Sequence, residues 1–171
     1  LLAASAADPA RVRYERLLYD DTWLRDSGPI TLRDGLGFSL LDFHFTAWGG
    51  KFQAGLDDRI VETLDERGLF QNSRRERIDF ALEGGGVETD GQGTLLSTWR
   101  CLHERHPGLD RGQITGHLEA WLHQHRVLWL DHGYLEGDDT DAHIDTLARF
   151  AAPDAIVYQG CDDPGDSHYA E

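Results

Sequence analysis

The pattern of apolar and polar residues in the first 70 positions predicts a hairpin followed by a helix. Short apolar stretches at 30–32 and 38–45 flank a turn at 34–37, and the second stretch alternates apolar and polar side chains as a half-buried strand does. In the segment 56–67, apolar residues recur at a spacing of four, at Leu56, Ile60 and Leu64. That spacing places them on one face of an amphipathic helix.

The same order of elements returns between residues 78 and 130. Strands are predicted at 78–82, 87–89, 94–98 and 127–130, with a glycine-rich turn at 83–86, a second hairpin turn at 90–93 and a helix at 113–124. The two hairpin turns are roughly 55–60 residues apart, so a ββα unit is repeated. Such repeats are typical of propellers and other pseudo-symmetric arrays. The sequence therefore predicts an α/β fold with about two to three modules of an array.

The remaining segments are short. Residues 131–141 form a predicted acidic loop, the segment 143–150 could be a strand or a helix, and 156–158 is a short strand. The chain contains no methionine and begins at Leu1. Because two repeated units do not close a ring, we expect residues 1–171 to be the central portion of one domain, without its N-terminal and C-terminal parts.

Net charge narrows the classes of partner that the protein can bind. The 171 residues include 16 lysines and arginines against 31 aspartates and glutamates, which gives a net charge of −15. Such a surface repels nucleic-acid phosphates and anionic lipid, so neither is an expected partner. A small cationic ligand suits this charge, although acidity also maintains solubility. No apolar run is long enough to span a bilayer.

The two cysteines, Cys101 and Cys161, are too few for a disulfide framework and indicate a reducing, cytoplasmic compartment. A nucleophilic cysteine needs a cationic neighbour or a helix N-terminus to lower the pKa of its thiol. Cys101 lies near the predicted end of a strand or turn, and Cys161 precedes two aspartates. We interpret both thiols as structural.

Two turns carry candidate binding residues. The segment 23–29 combines Trp23, Arg25 and Asp26, which suits cation binding, although an ordinary solvated turn explains it equally well. Glu83 projects from the end of an apolar strand, and the glycines at 84–86 let a ligand approach the backbone. A plain hairpin turn is the simpler interpretation of these glycines, since the phosphate-binding glycine motifs are missing from the sequence.

The acidic loop leads into two candidates for acid–base chemistry, His143 and Asp145. On an extended strand, their side chains would leave the same face. Carboxylates favour the charged form of a neighbouring histidine and prepare it for proton transfer near neutral pH. A metal site and a solvated loop are the alternatives, but a metal needs further spaced ligands that the sequence does not supply. We therefore predict no metal and no cofactor.

Four motifs follow one another in a specific order: WLRDSGP at 23–29, AWGGK at 47–51, LEGGG at 82–86 with TDGQGTLLST at 89–98, and DDTDAHID at 138–145. Together they resemble the agmatine deiminase and Porphyromonas-type peptidyl-arginine deiminase family of the guanidine-modifying superfamily. The resemblance extends from about Asp20 to Tyr169. It implies a five-bladed α/β propeller and a hydrolytic deimination, in which a guanidinium loses ammonia and becomes a ureido group.

The resemblance also implies roles for individual residues. Asp26 and Asp145 match the two carboxylates that hold the guanidinium, as suits a planar cation with forked donors. His143 matches the residue that protonates the departing ammonia and then activates water, and Glu83 matches the acid that orients this histidine. The positions that match the far end of the substrate are Trp23 and Asp139.

In that family, a cysteine near the C-terminus attacks the guanidinium carbon and forms a thiouronium intermediate. Neither Cys101 nor Cys161 matches its position, so we expect the nucleophile to lie outside this chain and the 171 residues alone to be inactive. Ala142 also departs from the family, because a glycine is usual there.

The expected partner is a small cationic guanidinium substrate, and the protein could form a homo-oligomer. We predict agmatine, converted to N-carbamoylputrescine and ammonia in putrescine and polyamine metabolism, because Asp138, Asp139 and Asp141 would hold a second cation. Peptidyl-arginine is the alternative substrate. A non-catalytic guanidine- or polyamine-binding protein and a metal-dependent hydrolase are the alternatives of other classes.

Overall fold

The computed structural model of the chain describes residues 8–35, 37–133, 135–140 and 142–170. Eight strands are described: β1 Ile30–Asp34, β2 Gly37–His44, β3 Ser73–Ala81, β4 Val87–Thr89, β5 Thr94–Thr98, β6 Arg126–Leu130, β7 Ala148–Ala152 and β8 Ala155–Tyr158. The α-helical segments are α1 Leu24–Ser27, α2 Ala47–Gly50, α3 Ile60–Glu66, α4 Trp99–Arg105 and α5 Arg111–Leu122. The chain therefore has the mixed α/β composition that its sequence predicts.

Two three-stranded sheets share one topology. In the first, β1 and β2 are antiparallel, and β3 joins β2 in parallel after the crossover that contains α2 and α3. In the second, β4 and β5 are antiparallel, and β6 joins β5 in parallel after α4 and α5. The repeated unit is thus ββαβ, one strand longer than the predicted ββα. The antiparallel pair β7–β8 follows as a separate two-stranded sheet.

The two sheets pack around a shared hydrophobic core. It joins Leu41 and Phe43 of β2 with Ile78 and Phe80 of β3, and it continues through the second unit to the buried face of α5. That face consists of Ile114, Leu118 and Leu122, and an Asp110–Gln113 capping box begins the helix. None of the helices within the described ranges is long and apolar enough to cross a membrane.

Several predicted boundaries change in the structure. Strand β3 begins at Ser73, five residues before its predicted start, because the polar residues at 73–77 pair with β2 and two of their arginines bind Asp42. Helix α3 begins at Ile60 after a 3₁₀ turn, Asp57–Arg59. In the first hairpin turn, Leu36 lies outside the described residues.

Helix α4 is absent from the sequence prediction, which placed Cys101 near the end of a strand or turn. The structure places Cys101 inside this two-turn helix, where the Thr98 side chain accepts a hydrogen bond from the Cys101 amide as the N-cap. The apolar side chains that the helix buries are Cys101 and Leu102, which are adjacent in sequence, so the apolar spacing of three or four that predicts an amphipathic helix is missing.

Candidate active site

Asp26 is held in the interior by donors from two distant segments. It lies in the short helix α1 and is only 7% exposed. The Trp48 indole Nε1 donates to its Oδ2 at 3.0 Å, and the Gly85 amide donates to its Oδ1 at 3.0 Å. A buried carboxylate oriented on both oxygens presents a fixed negative charge.

Trp48 reaches Asp26 because its backbone follows an unusual path. All four residues of α2 have positive φ, with 49° at Ala47 and 57° at Trp48, and the glycines at 49 and 50 continue at 82° and 86°. Left-handed backbone is costly for alanine and tryptophan and is typical of functional sites. Sequence reasoning missed Trp48 as a site residue, although the AWGGK motif contains the signal, an aromatic residue before two glycines.

Glu83 follows the end of β3 and is fully buried. Arg105 Nε donates to both of its oxygens, at 3.2 Å and 3.3 Å. The Oε2 atom also lies 3.5 Å from His143 Nε2, which is longer than an ordinary hydrogen bond. Burial by itself would raise the pKa of Glu83, but the contact with His143 and the charge of Arg105 outweigh it, so the pKa of Glu83 lies below its ordinary value of 4.5.

The glycines after Glu83 allow three functional side chains to meet. A Cβ atom placed on Gly85 would lie 2.5 Å from His143 Nδ1, 2.7 Å from Asp26 Oδ1 and 2.9 Å from Asp145 Oδ2. A Cβ atom on Gly84 would collide with the carbonyl oxygen of Arg25. This turn is therefore more than a plain hairpin, since any side chain at Gly85 would occupy the space between the acids and the histidine.

His143 is 1% exposed, and its Nδ1 lies 3.7 Å from Asp26 Oδ1. The prediction that His143 and Asp145 share one face of a strand is wrong. His143 precedes a 3₁₀ turn, Ile144–Thr146, in which the half-buried Asp145 lies. The tight turn, rather than strand geometry, brings both side chains to Gly85.

Asp26 and Glu83 have pKa values that shift in opposite directions. Burial raises the pKa of Asp26 above its ordinary value of 3.8, against the charge of His143 and the hydrogen bonds from Trp48 and Gly85. The pKa of Glu83 is lowered, as described above. Two nearby carboxyl groups whose environments separate their pKa values are typical of acid–base sites.

Trp23 and Asp139 are not brought into this cluster. The Trp23 side chain is 62% exposed at the start of α1. Asp139 is exposed, and its backbone oxygen accepts a hydrogen bond from Lys51 Nζ at 2.7 Å. Within the described part of the chain, neither side chain forms a hydrogen bond or an ion pair with Asp26, Glu83, His143 or Asp145.

Asp138 forms hydrogen bonds within the acidic loop itself. Its carboxylate accepts hydrogen bonds from the amide and hydroxyl of Thr140, at 2.9 Å and 2.6 Å, and from the Ala142 amide at 3.0 Å. Partial burial opposes ionisation, but these hydrogen bonds prevail and lower the pKa of Asp138 below 3.8. Asp141, which the sequence also places in this loop, lies outside the described residues.

Glu83, Cys101 and His143 offer ligand atoms that lie within 4.8 Å of one another. The Arg105 guanidinium already binds both oxygens of Glu83, and its positive charge opposes a second cation there. Cys101 is fully buried in α4, whereas Cys161 is partly exposed, with its Sγ 3.8 Å from the Asp163 carbonyl oxygen. The arrangement suits proton transfer between buried groups better than metal binding.

Comparison with known proteins places this geometry in a family. Residues 2–171 match the Porphyromonas-type peptidyl-arginine deiminase family. The chain is 37% identical to the agmatine deiminase of Stutzerimonas stutzeri (strain A1501), covering 99% of this chain and 48% of that protein. It is 34% identical to the agmatine deiminase of Pseudomonas aeruginosa (strain LESB58), covering 98% and 47%. The chain thus spans about half the length of these relatives.

Solved structures agree with the sequence relatives. A substrate-bound cysteine-to-serine variant of C. jejuni agmatine deiminase superimposes with a TM-score of 0.87 at 36% identity, covering 95% of this chain and 49% of that one. Agmatine deiminase of Enterococcus faecalis gives a TM-score of 0.78 at 33% identity, covering 88% and 42%. The chain with the Asp26, Glu83, His143 and Asp145 cluster therefore belongs to the agmatine deiminase and Porphyromonas-type peptidyl-arginine deiminase family.

Proposed function

We propose that the whole protein hydrolyses a guanidinium group and releases ammonia. The observation that carries this proposal is the convergence of Asp26, Asp145 and His143 on Gly85, where a single added Cβ atom would contact all three. Two carboxylates beside one histidine form a compact anionic site with a proton donor and acceptor. Names of relatives in the same family, which include agmatine deiminases, support this reaction class.

A guanidinium is the cation that fits Asp26 best. The carboxylate is buried, accepts hydrogen bonds from Trp48 and Gly85 and lies 3.7 Å from His143, and it forms no ion pair with an arginine or lysine within the described residues. The raised pKa of Asp26 expresses the cost of holding this charge away from water. A planar guanidinium between Asp26 and Asp145 would offset that cost with forked N–H donors.

His143 and Glu83 supply the proton transfers in this proposal. A cysteine thiolate attacks the guanidinium carbon, the C–N bond breaks, and His143 gives a proton to the departing ammonia. Water then donates a proton to His143 and attacks the same carbon. The C–S bond breaks, the proton of the added hydroxyl group passes to solvent, the ureido product leaves, and the thiolate is regenerated. Ionised Glu83 orients the ring and stabilises its protonated form.

We assign the nucleophile to a cysteine outside these 171 residues. Cys101 is fully buried within α4, and its position in the sequence does not match that of the nucleophile in the family. Cys161 lies in the segment after β8, with its Sγ 3.8 Å from the Asp163 carbonyl oxygen, and its position also does not match that of the nucleophile. The cysteine-to-serine substitution in the substrate-bound C. jejuni relative is consistent with a cysteine nucleophile in this family.

We propose agmatine as the substrate, with N-carbamoylputrescine as the product and a place in polyamine metabolism, because several relatives are named agmatine deiminases. One observation favours an arginine derivative as the second candidate. Asp138 accepts hydrogen bonds from the loop backbone, and Lys51 brings a positive charge to Asp139, so the loop is less suited to an ammonium than its sequence predicts.

For the architecture, we propose that the two ββαβ units and the β7–β8 hairpin are consecutive blades of a five-bladed propeller.

Kinetics of the full-length protein tests this function. Ammonia release should be measured with agmatine, free arginine and a blocked arginine peptide, for the wild type and for His143→Ala. We expect the highest kcat/KM with agmatine, and His143→Ala should lower kcat by about 100-fold or more with little change in KM. The exposed His132 supplies the control variant His132→Ala, which should match the wild type.

The outcomes separate the candidates. Turnover of the blocked peptide at least equal to that of agmatine would replace agmatine by peptidyl-arginine. Tight binding of agmatine by calorimetry without ammonia release would identify a guanidine-binding protein instead of an enzyme. Normal turnover by His143→Ala would remove the histidine from the reaction.

A further inference from the structure

Arg105 is the last residue of α4 and has no exposed side-chain surface. Its Nε donates to both oxygens of Glu83, and its Nη2 donates to the Thr140 carbonyl oxygen at 2.9 Å. A fully buried arginine is uncommon, and it is tolerated only where its charge and its donors are matched. Here, the carboxylate of Glu83 matches the charge of Arg105, and the Thr140 carbonyl oxygen accepts one of its remaining hydrogen bonds.

The contact with Glu83 acts on the electrostatics of the site. Glu83 has no access to water, so without a cationic partner its neutral form would be favoured. The ionisable groups that face it are Asp26 from α1, Cys101 and Arg105 from α4, His106 directly after α4, and His143. Among these described neighbours, Arg105 is the one group with a permanent positive charge.

The contact with Thr140 acts on the position of the histidine. Thr140 precedes His143 by three residues, and its hydroxyl lies 3.4 Å from the His143 amide. At the other end of α4, the Thr98 hydroxyl donates to the Ala142 carbonyl oxygen at 2.5 Å. Both ends of α4 therefore hold the backbone next to His143, so the helix and the histidine form one rigid unit.

We propose that Arg105 is a positioning residue of the deiminase site, whose buried guanidinium holds Glu83 against His143 and anchors the loop that carries the histidine. This inference rests on the proposed deiminase function. The planar fork of arginine is necessary for both tasks, since it places donors on Glu83 and on Thr140 at once. The compact ammonium of a lysine would preserve the charge beside Glu83 and lose the simultaneous contact with Thr140.

The test compares Arg105→Gln, Arg105→Lys and the control Arg100→Gln in the full-length protein. Arg100 lies in the same helix but is 43% exposed and pairs with Glu104, so its loss changes surface charge alone. The measurements are thermal unfolding, the pH profile of kcat with agmatine, and the NMR titration of the Glu83 carboxyl group, assigned with Glu83→Gln. The titration does not depend on turnover.

Arg105→Gln should lower kcat by about 100-fold with a smaller change in KM. Without Arg105, the buried carboxyl group of Glu83 loses its permanent cationic partner, so the pKa of Glu83 should rise. The titration of the Glu83 carboxyl group and the acid limb of kcat, which requires ionised Glu83, should therefore both move upward by about one pH unit. Arg105→Lys should keep the wild-type titration but lose about tenfold in kcat, and Arg100→Gln should change neither quantity.

A folded Arg105→Gln protein with an unshifted Glu83 titration would overturn the inference. If that variant does not fold, Arg105→Lys decides, and wild-type kcat in Arg105→Lys would overturn the inference. If the wild type releases no ammonia from any guanidine, the proposed function fails. A shifted Glu83 titration in Arg105→Gln would then still support the contact between Arg105 and Glu83.

Discussion

Acidic residues differ in burial and in hydrogen bonding between the cluster around Gly85 and the acidic loop. Around Gly85, Asp26 and Glu83 are buried, and each is bound by side chains or backbone from distant segments. In the acidic loop, Asp138 binds backbone within four residues of itself and Asp139 is exposed. The buried carboxylate of Asp26 near Gly85 is therefore suited to bind a cationic ligand. The carboxylate of Asp138 instead stabilises the backbone of the acidic loop.

This difference shows that a high number of acidic residues in one segment of the sequence does not by itself indicate a cation-binding site. Exposed or locally bonded carboxylates are stabilised by water or by nearby amides, so they gain little from a ligand. A buried carboxylate such as Asp26 gains much more, because a guanidinium offsets the cost of its desolvation. The following predictions test this comparison, from the largest expected effect to the smallest.

The largest effect is expected for Asp26→Ala. Removal of one charged partner of a buried cation costs about 3–5 kcal/mol, so binding of agmatine should weaken by more than about 100-fold. Calorimetry with the full-length protein measures this loss. Asp131→Ala is the control, because the Asp131 side chain is 61% exposed, and it should bind agmatine as the wild type does.

The raised pKa of Asp26 predicts that the affinity for agmatine depends on pH. In the proposed function, the guanidinium binds the ionised form of Asp26, and burial raises the pKa of this carboxyl group. The affinity for agmatine should therefore increase as the pH rises through this raised pKa, and become constant above it. Asp26→Ala should abolish that dependence. An affinity independent of pH in the wild type would show that Asp26 does not bind the cation.

Gly85→Ala should lower kcat by about 100-fold, because the new methyl group would displace at least one of three functional side chains by about 1 Å. The matched control is Gly116→Ala on the exposed face of α5, where a Cβ atom meets nothing within 4 Å. That substitution should stabilise the helix by about 0.5–1 kcal/mol without loss of activity. Equal kinetics for the two variants would contradict the close approach at Gly85.

A smaller effect is expected for Asp138→Asn. The amide nitrogen of asparagine cannot accept the hydrogen bond from Ala142, so the free energy of unfolding should fall by about 1–2 kcal/mol. The folded state lowers the pKa of Asp138, so its contribution to stability is present above pH 3.8 and is lost as the pH falls through the lowered value. Denaturant titrations at several pH values measure both effects, and Asp139→Asn, which removes an exposed charge, should change neither.

The smallest effect is expected for Ala142→Gly. Ala142 has a φ of 67°, so glycine would relieve left-handed strain while it increases the entropy of the unfolded chain. These two effects on the free energy of unfolding nearly cancel. Thermal unfolding should therefore show that this free energy changes by less than about 1 kcal/mol, and kcat should be unaltered. Ala142→Val, in contrast, should destabilise the protein by about 2 kcal/mol or more, since a β-branched residue resists positive φ and this position is 2% exposed.

The sequence by itself determined the local elements and most of the buried cluster. The alternation around β2 and the spacing of Ile114, Leu118 and Leu122 predicted strands and helices, because these patterns depend on residues a few positions apart. The motif resemblance named Asp26, Glu83, His143 and Asp145, and the structure gathers all four at one turn. Their chemical roles remain part of the proposed function.

Tertiary structure alone decided which charges are buried and what binds them. The contact from Gly85 to Asp26 joins residues 59 positions apart, and those from Trp48 to Asp26 and from Arg105 to Glu83 each span 22 positions. No local pattern encodes such contacts, so Trp48 and Arg105 were missed. Trp23 and Asp139 lie outside the cluster around Gly85, and their match to the far end of the substrate stays a prediction. Burial and ion pairing arise from packing between segments, and they determine whether an acid binds a ligand, holds a histidine or only completes a loop.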